Sequence, residues 1–139
     1  PVEDPGLPGY HLLSYCDRMD LALSAADLAI SRAGAGTVSE LAALGVPAVF
    51  VPYAVGNGEQ ALNAREAVGA GGALLVRDAD FDAEWVRGPL VELLRDPALV
   101  ADMAARMAGI GHRDGTDRLV DLVREAVAAG AAGARDADG

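Results

Sequence analysis

Lysine is absent from this sequence, so all 11 basic residues are arginine, against 21 acidic residues. The formal net charge is −10, and no basic stripe runs along the chain. Neutralisation of phosphates supplies most of the affinity of nucleic-acid-binding proteins, so this acidic composition argues against a nucleic-acid partner. The same composition makes the chain a poor candidate for holding anionic lipid by itself.

Cysteine occurs once, as Cys16, which excludes an internal disulfide and is typical of a cytoplasmic protein. No uninterrupted apolar run reaches about 18 residues, which argues against a transmembrane helix. No charged-then-apolar leader opens the chain, so a secretory signal is not expected. Residues 1–9 begin without methionine and contain three prolines. We expect them to be a loop from a longer protein.

Short apolar segments alternate with helical patterns in the first part of the chain. The predicted strands cover residues 10–14, 28–30, 48–51 and 73–76, and the predicted helices cover residues 18–26, 37–44 and 59–68. Such alternation indicates βαβ units and a parallel sheet. The uniformly apolar segment 28–30 predicts a strand buried on both faces. Asp17 is expected to cap the first helix, and Gly45 to end the second in the left-handed conformation.

Three further helices are predicted after residue 80. They begin near residues 82, 97 and 116, and we assign their apolar stripes to the core. Residues 130–139 are small, charged and aperiodic, which predicts a disordered tail. The fold class is therefore α/β, a Rossmann-like parallel sheet closed by C-terminal helices. Four strands are fewer than a nucleotide-binding half of this type usually has.

A glycine-rich turn leads into the second predicted helix. Gly34, Ala35, Gly36 and Thr37 supply backbone N–H groups at a helix start, where the helix dipole also favours an anion such as phosphate. The alternative is an ordinary strand-to-helix turn with a threonine cap. The spacing of the glycines also approaches the dinucleotide fingerprint, but no acidic residue ends a following strand about 20 residues further on, as that fingerprint requires.

Polar residues beside this turn extend the candidate site. Glu40 lies one turn into the helix, where a carboxylate can accept hydrogen bonds from a sugar diol or interact with the helix dipole. Arg32 can neutralise phosphate, or it can pair with a structural carboxylate such as Asp27 or Glu40. Glu59 and Gln60 open the next helix, where surface polar residues are also ordinary. Together these residue types are suited to binding a nucleotide.

The motifs in combination resemble a known family. The run Ser-Arg-Ala-Gly-Ala-Gly-Thr-Val-Ser-Glu begins at Ser31, and Gly-Val-Pro-Ala-Val-Phe-Val-Pro and Gly-Asn-Gly-Glu-Gln-Ala-Leu-Asn-Ala follow it. In this order they are similar to the C-terminal donor-binding domain of the MurG family, the family 28 glycosyltransferases of peptidoglycan synthesis. The resemblance implies the partial C-terminal half of a two-domain GT-B fold. It assigns residues 10–129 to a domain that binds a UDP-sugar.

The resemblance also implies an activity. An inverting transferase of this family moves N-acetylglucosamine from UDP to a muramoyl-pentapeptide on undecaprenyl pyrophosphate, converting lipid I to lipid II, without a cofactor or a metal. The general base for the acceptor hydroxyl is expected in a missing N-terminal acceptor domain. This segment alone is therefore expected to be inactive. The longer enzyme is expected at the cytoplasmic face of the membrane, where that domain would meet the lipid-linked acceptor.

Family positions imply roles for individual residues. The N–H groups of residues 34–37 and the Thr37 hydroxyl would face the diphosphate, and Glu40 would bind both ribose hydroxyls. Glu59 and Gln60 match positions that contact hydroxyls of the N-acetylglucosamine ring. Gln60 is the closer match, because some members carry a second glutamine in place of Glu59 and a carboxylate cannot donate.

A further stretch of the family pattern concerns the base. There the backbone at Cys16 would read the edge of the uracil, and Tyr15 would cover the ring. The alternative is that Tyr15, Cys16 and Met19 are core side chains. Asn63 is expected to tie down the loop before its helix rather than to touch the sugar.

Three other interpretations stay open. The chain could be the donor domain of another GT-B transferase, a subunit that docks with a separate acceptor-domain protein, or a non-catalytic nucleotide sensor. In GT-B enzymes the last helix commonly braces the other domain. Leu119, Leu122 and Val123 are therefore candidates for packing onto residues outside this chain.

Overall fold

Three parallel strands organise the part of the chain that the structure describes. The structure, a computed structural model, describes residues 4–53, 58–112 and 114–136. Within these residues β1 (Ala29–Ser31), β2 (Ala48–Phe50) and β3 (Ala73–Leu75) form one sheet in the order β1-β2-β3. Both pairings are parallel, and Ala29, Ala48 and Ala73 lie side by side. The α/β class with a parallel sheet is confirmed.

Helices cover both faces of this sheet. The helices are α1 (Met19–Ser24), α2 (Ala35–Leu44), α3 (Glu59–Ala70), α4 (Ala83–Trp85), α5 (Val91–Leu94), α6 (Pro97–Ile110) and α7 (Gly115–Asp136). One apolar cluster joins the sheet to α2 and α3 around Phe50 and Leu41, and α6 adds Met107 to it. A second cluster on the other face joins Val49 and Val51 to Leu93 of α5 and Met103 of α6. A sheet covered on both faces is the arrangement that parallel strands require.

The central strand is more deeply buried than the two outer strands. All three residues of β2 are buried, whereas Ile30 of β1 and Leu74 and Leu75 of β3 each expose more than two fifths of their surface. The expectation that the first of these strands is buried on both faces is therefore wrong. Among the described strands β1 has a neighbour on one side only, and the described helices leave Ile30 uncovered.

Two glycines end the helices that follow β1 and β2. Gly45 has φ 71°, and the N–H groups of Gly45 and Val46 donate to carbonyls in the last turn of α2. Gly71 has φ 80° and ends α3 with the same pair of hydrogen bonds. Only glycine adopts this conformation without strain, and the motif satisfies the free carbonyls of a helix end. The predicted left-handed cap at Gly45 is confirmed.

The helical segment after residue 82 contains a proline. Asp82 caps α4 by accepting hydrogen bonds from the N–H groups of Glu84 and Trp85. A π-helical stretch, Val86–Leu90, separates α4 from α5 and contains Pro89. Proline has no N–H to donate to the preceding turn, so a widened turn absorbs the missing hydrogen bond. Asp96 then caps α6, with Pro97 at its first position.

The predicted strand at residues 10–14 is wrong. Tyr10, Leu12 and Leu13 are exposed, and residues 10–14 pair with none of the described strands. A strand is stable only beside a hydrogen-bonded neighbour, so an apolar run alone does not make one. The predicted cap at Asp17 is also wrong, because α1 begins at Met19 and the residue at its cap position is Arg18.

The apolar stripe of helix α7 differs from its expectation. The stripe was assigned to the core, but Leu119, Leu122, Val123 and Val127 are all more than half exposed. The described backbone is helical to Asp136, and the disordered tail stays a prediction. None of the described helices is long and apolar enough to cross a bilayer.

At two glycines near the end of α6, substitution by alanine should have opposite effects on the free energy of unfolding. At Gly111 a Cβ atom would clash with the Ala42 carbonyl oxygen, so Gly111→Ala should lower the free energy of unfolding by roughly 1–3 kcal/mol. At Gly109, inside α6, a Cβ would meet no described atom within 4 Å. Gly109→Ala should therefore raise this free energy by about 0.5–1 kcal/mol. Urea titration of both variants measures the two shifts, and shifts of the same sign would contradict the packing of α6 on α2.

Candidate functional site

The carboxyl ends of the three strands lie at one edge of the sheet. The turn after β1 leads directly into α2, and the loop after β2 leads into α3. Ligands of open parallel sheets bind outside this edge, where helix starts face the crevice. Residues 34–37 and 59–60 therefore lie on the side of the sheet where a ligand is expected.

The start of α2 is an open array of backbone N–H groups. The helix begins at Ala35 with Gly34 as its cap residue, and the first hydrogen bond of the turn runs from the N–H of Val38 to the carbonyl of Gly34. The N–H groups of Ala35, Gly36 and Thr37 come before that bond, and helix geometry gives them no partner within α2. A Cβ at Gly36 would meet no described atom within 4 Å. Described side chains therefore leave Gly36 open.

This geometry corrects the predicted start of the helix. The sequence indicates a helix over residues 37–44 with Thr37 as a possible cap, whereas Thr37 is the third residue of α2 and Gly34 is the cap. Glycine caps a helix without contributing a side-chain acceptor. The earlier start brings two more residues, Ala35 and Gly36, into the helix, so their N–H groups point along its axis.

Glu40 lies on the same side of α2 as the open turn. It follows Gly36 by four residues and Thr37 by three, which places the three residues on one face of the helix. The side chain is exposed and lines a cavity of about 280 Å³ between α1 and α2, together with Met19 and Leu23. The carboxylate can therefore accept hydrogen bonds from a ligand that also reaches residues 34–37.

A second carboxylate lines the same cavity. Asp20 receives two hydrogen bonds from the Arg18 guanidinium, at 2.9 and 2.7 Å. These bonds hold the pKa of the Asp20 carboxyl below its ordinary value. The Arg18 guanidinium offsets the charge of Asp20, and the carboxylate of Glu40 makes this end of the site favour hydroxyl donors over phosphate. An anionic group of a ligand is expected at the start of α2 instead.

The stretch before α1 is accessible to a ligand. Tyr15 exposes 78% of its surface and Met19 49%, while Cys16 is half-buried with a free thiol. The alternative that all three are core side chains is therefore wrong for Tyr15 and Met19. An exposed aromatic ring close to a half-buried backbone is compatible with stacking on a planar base.

The start of α3 is fixed by two hydrogen bonds. The side-chain oxygen of Gln60 accepts from the backbone N–H of Tyr53 at 2.9 Å. The side-chain amide of Asn63 donates to the carbonyl of Ala33 at 3.1 Å. The second bond joins α3 to the residue before Gly34, so the two helix starts are neighbours. Asn63 thus ties down the turn after β1, rather than the loop before its own helix.

Part of the loop before α3 cannot be described. Residues 54–57, which include the expected turn former Asn57, lie outside the described residues. Gly58 has φ 80° and is the cap residue of α3, and Glu59 is the exposed first residue of the helix. The predicted roles of Glu59 and Gln60 toward a sugar stay predictions.

Arg32 joins the ends of all three strands. Its guanidinium donates to the carbonyls of Val51 and Pro52, at 3.1 and 3.3 Å, and forms an ion pair with Asp78. The alternative that Arg32 pairs with a structural carboxylate is confirmed, but the partner is Asp78 and not Asp27 or Glu40. Direct contact between Arg32 and phosphate stays a prediction, since these bonds give the guanidinium a structural role after β1.

Sequence reasoning missed two residues of this edge. Tyr53 places its ring 5.4 Å from the Arg32 guanidinium carbon, and Asp78 pairs with the same guanidinium. Asp78 is one of several acidic residues between residues 78 and 84. Its position just beyond a strand of a parallel sheet was the signal that could have identified it. Among the described residues no three His, Cys, Asp or Glu side chains are grouped so as to hold a metal ion.

Curated proteins are similar to most of this chain. A relative from Clavibacter michiganensis is 59% identical over 126 residues, which are 91% of this chain and 34% of that protein. A relative from Leifsonia xyli is 59% identical over 128 residues, which are 92% of this chain and 36% of that protein. Both are named UDP-N-acetylglucosamine--N-acetylmuramyl-(pentapeptide) pyrophosphoryl-undecaprenol N-acetylglucosamine transferase. The chain spans about a third of the length of the curated relatives it matches.

Solved structures show the same fold. The crystal structure of MurG from Acinetobacter baumannii matches with a TM-score of 0.76 and 34% identity over 83% of this chain and 33% of that one. A glycotransferase of kitacinnamycin matches with a TM-score of 0.65 and 26% identity over 90% of this chain and 32% of that one. The sequence family described as glycosyltransferase family 28 C-terminal domain matches residues 2–119. This chain therefore belongs to glycosyltransferase family 28, whose C-terminal domain it contains.

Proposed function

We propose that this chain binds UDP-N-acetylglucosamine as the donor half of an N-acetylglucosaminyltransferase. The observation that carries the proposal is the open start of α2, which lies one helical turn from Glu40 and is tied by Asn63 to the start of α3. The names of the curated relatives support the choice of sugar and reaction. Residues 10–129 form the donor-binding unit in this proposal.

The diphosphate lies at the start of α2. The N–H groups of Ala35, Gly36 and Thr37 point toward it, and the positive end of the helix dipole lies there too. Sugar transfer builds negative charge on the departing UDP. Fixed dipoles aimed at that charge stabilise the transition state without reorganising during the reaction.

The uridine extends from there toward α1. Glu40 accepts hydrogen bonds from both ribose hydroxyls, a role that suits a carboxylate with two oxygens. The base then lies near Cys16 and Met19, with the exposed ring of Tyr15 available to cover it. The cavity that Glu40 and Met19 line supports this direction.

The sugar lies at the start of α3. The Gln60 oxygen already accepts a hydrogen bond from Tyr53, so its NH₂ group is the end that donates to a sugar hydroxyl. Glu59, one residue earlier, accepts from a second hydroxyl. The two side chains differ in role because an amide can donate a hydrogen bond, whereas a carboxylate can only accept one.

The acceptor is bound by protein outside this chain. The transfer proposed is to a muramoyl-pentapeptide on undecaprenyl pyrophosphate at the cytoplasmic face of the membrane, with the general base in the acceptor domain. Support comes from the curated relatives, which are about three times as long as this chain. The exposed apolar stripe of α7 (Leu119, Leu122 and Val123) is the surface on which that domain packs.

The donor proposal predicts a specific loss on substitution of Glu40. Calorimetric titration should detect UDP-N-acetylglucosamine binding that is stronger than binding of UDP-glucose or NADH. Glu40→Ala should weaken it by about 1–3 kcal/mol, because a charged acceptor for the ribose is lost. Glu92→Ala removes an exposed glutamate from α5 and is the matched control, expected to change the affinity by less than about 0.5 kcal/mol. Equal affinities in wild type and Glu40→Ala would remove Glu40 from the site.

A second prediction concerns Gln60. It separates the support that Gln60 gives to the loop from its proposed contact with the sugar. In Gln60→Glu a carboxylate oxygen still accepts from Tyr53, but no NH₂ group remains to donate to the sugar. This variant should lose roughly 2- to 10-fold in affinity for UDP-N-acetylglucosamine but not for UDP. Gln60→Ala should lose both functions and also about 0.5–1.5 kcal/mol of unfolding free energy. The contrary result is a Gln60→Glu variant with wild-type affinity for the sugar nucleotide.

A second candidate is the donor domain of a GT-B transferase with another acceptor. The match to the glycotransferase of kitacinnamycin favours it, although the identity of 26% is about half that of the curated relatives. Binding to UDP-glucose that equals binding to UDP-N-acetylglucosamine would support this candidate. Binding that depends on UDP alone, whatever the sugar, would support a nucleotide sensor.

A further inference from the structure

A polar clamp crosses the carboxyl edge of the sheet beside the proposed donor site. We define the Arg32 clamp as Arg32, the Tyr53 ring above its guanidinium, the carbonyls of Val51 and Pro52, and the carboxylate of Asp78. These groups come from the segments that follow β1, β2 and β3. The clamp therefore connects three strand ends through one planar cation.

Tyr53 connects the Arg32 clamp to Gln60. The Tyr53 ring lies 5.4 Å from the Arg32 guanidinium carbon, and the Tyr53 backbone N–H donates to the Gln60 side chain at 2.9 Å. The same residue thus rests on the clamp and orients Gln60. A shift of the Tyr53 backbone would change the direction of the Gln60 amide.

Asp78 is the charged partner that holds the guanidinium in place. The Arg32 and Asp78 side chains are 49% and 38% exposed, so water also reaches the pair. The ion pair with Asp78 uses the same nitrogen, Nη1, as the bonds to the two carbonyls. An ion pair adds the attraction of opposite charges to its hydrogen bond, so Asp78 holds this end of the guanidinium more strongly than the carbonyls do.

We propose that Asp78 is a positioning residue for the sugar end of the donor site. By holding Arg32 beneath Tyr53, Asp78 fixes the strand-end backbone that orients Gln60. This inference rests on the proposed function of donor binding. It assigns to Asp78 an effect on the sugar of a UDP-sugar and none on the UDP part, which lies at α1 and α2.

The experiment compares two aspartates of the same segment in the 139-residue chain. Asp78→Asn weakens the clamp, whereas Asp80→Asn is the matched control, because the Asp80 carboxylate pairs with Arg77 on the surface, at 2.5 Å, and with no other described residue. Calorimetry measures affinities for UDP and UDP-N-acetylglucosamine, and their ratio isolates the sugar. Asp78→Asn should shift this ratio roughly 2- to 10-fold toward UDP, and Asp80→Asn should not shift it.

A double-mutant cycle with Gln60→Ala tests the proposed route. If Asp78 acts through Gln60, then Asp78→Asn should not shift the ratio further in the Gln60→Ala background. Tyr53→Ala gives an independent test, since it removes the ring from the clamp at a position where the side chain is exposed. It should shift the ratio in the same direction as Asp78→Asn.

The outcomes separate the two proposals. A wild-type chain that is folded by circular dichroism but binds no UDP-sugar overturns the proposed function and this inference with it. A wild-type chain that binds, with a ratio that Asp78→Asn leaves unchanged, overturns the inference alone. Equal losses for UDP and UDP-N-acetylglucosamine in Asp78→Asn also overturn it, since a general structural role would produce them.

Discussion

Parallel pairing of β2 with both of its neighbours is the constraint on which the rest of the structure depends. Because the three strands run in one direction, the segments after β1 and β2 leave the sheet at the same edge, and α2 and α3 both begin there. The hydrogen bond from Asn63 to Ala33 then locks the two helix starts together. Every contact proposed for the diphosphate and the sugar follows from this geometry.

The described residues form a packed apolar core but leave some apolar side chains exposed. Two clusters fill the space between the sheet and its helices, with Phe50 and Val49 at their centres. Ile30 at the outer strand and the stripe of α7 remain exposed. Exposed apolar surface on a soluble domain commonly marks an interaction site. In the proposed function the stripe of α7 belongs to the interface with the acceptor domain.

Arg32 illustrates how tertiary structure chooses between roles that a sequence leaves open. A basic residue beside a phosphate-binding turn can serve the ligand or the fold. Its guanidinium meets two carbonyls and Asp78, which is 46 residues further along the chain. The polar network at the site's edge therefore begins with an ordinary ion pair and reaches Gln60 through Tyr53.

Local sequence signals determined the α/β class, the glycine that ends α2, the approximate start of the helices after β3 and the small side chains of the turn around Gly34. These features depend on backbone preferences and hydrogen bonds within a few residues. Only the tertiary structure decided that residues 10–14 form no strand, that Tyr15 is exposed, and that Asp78 is the partner of Arg32. Strand pairing, burial and long-range ion pairs depend on which surfaces meet in space, and a single sequence carries no direct record of that.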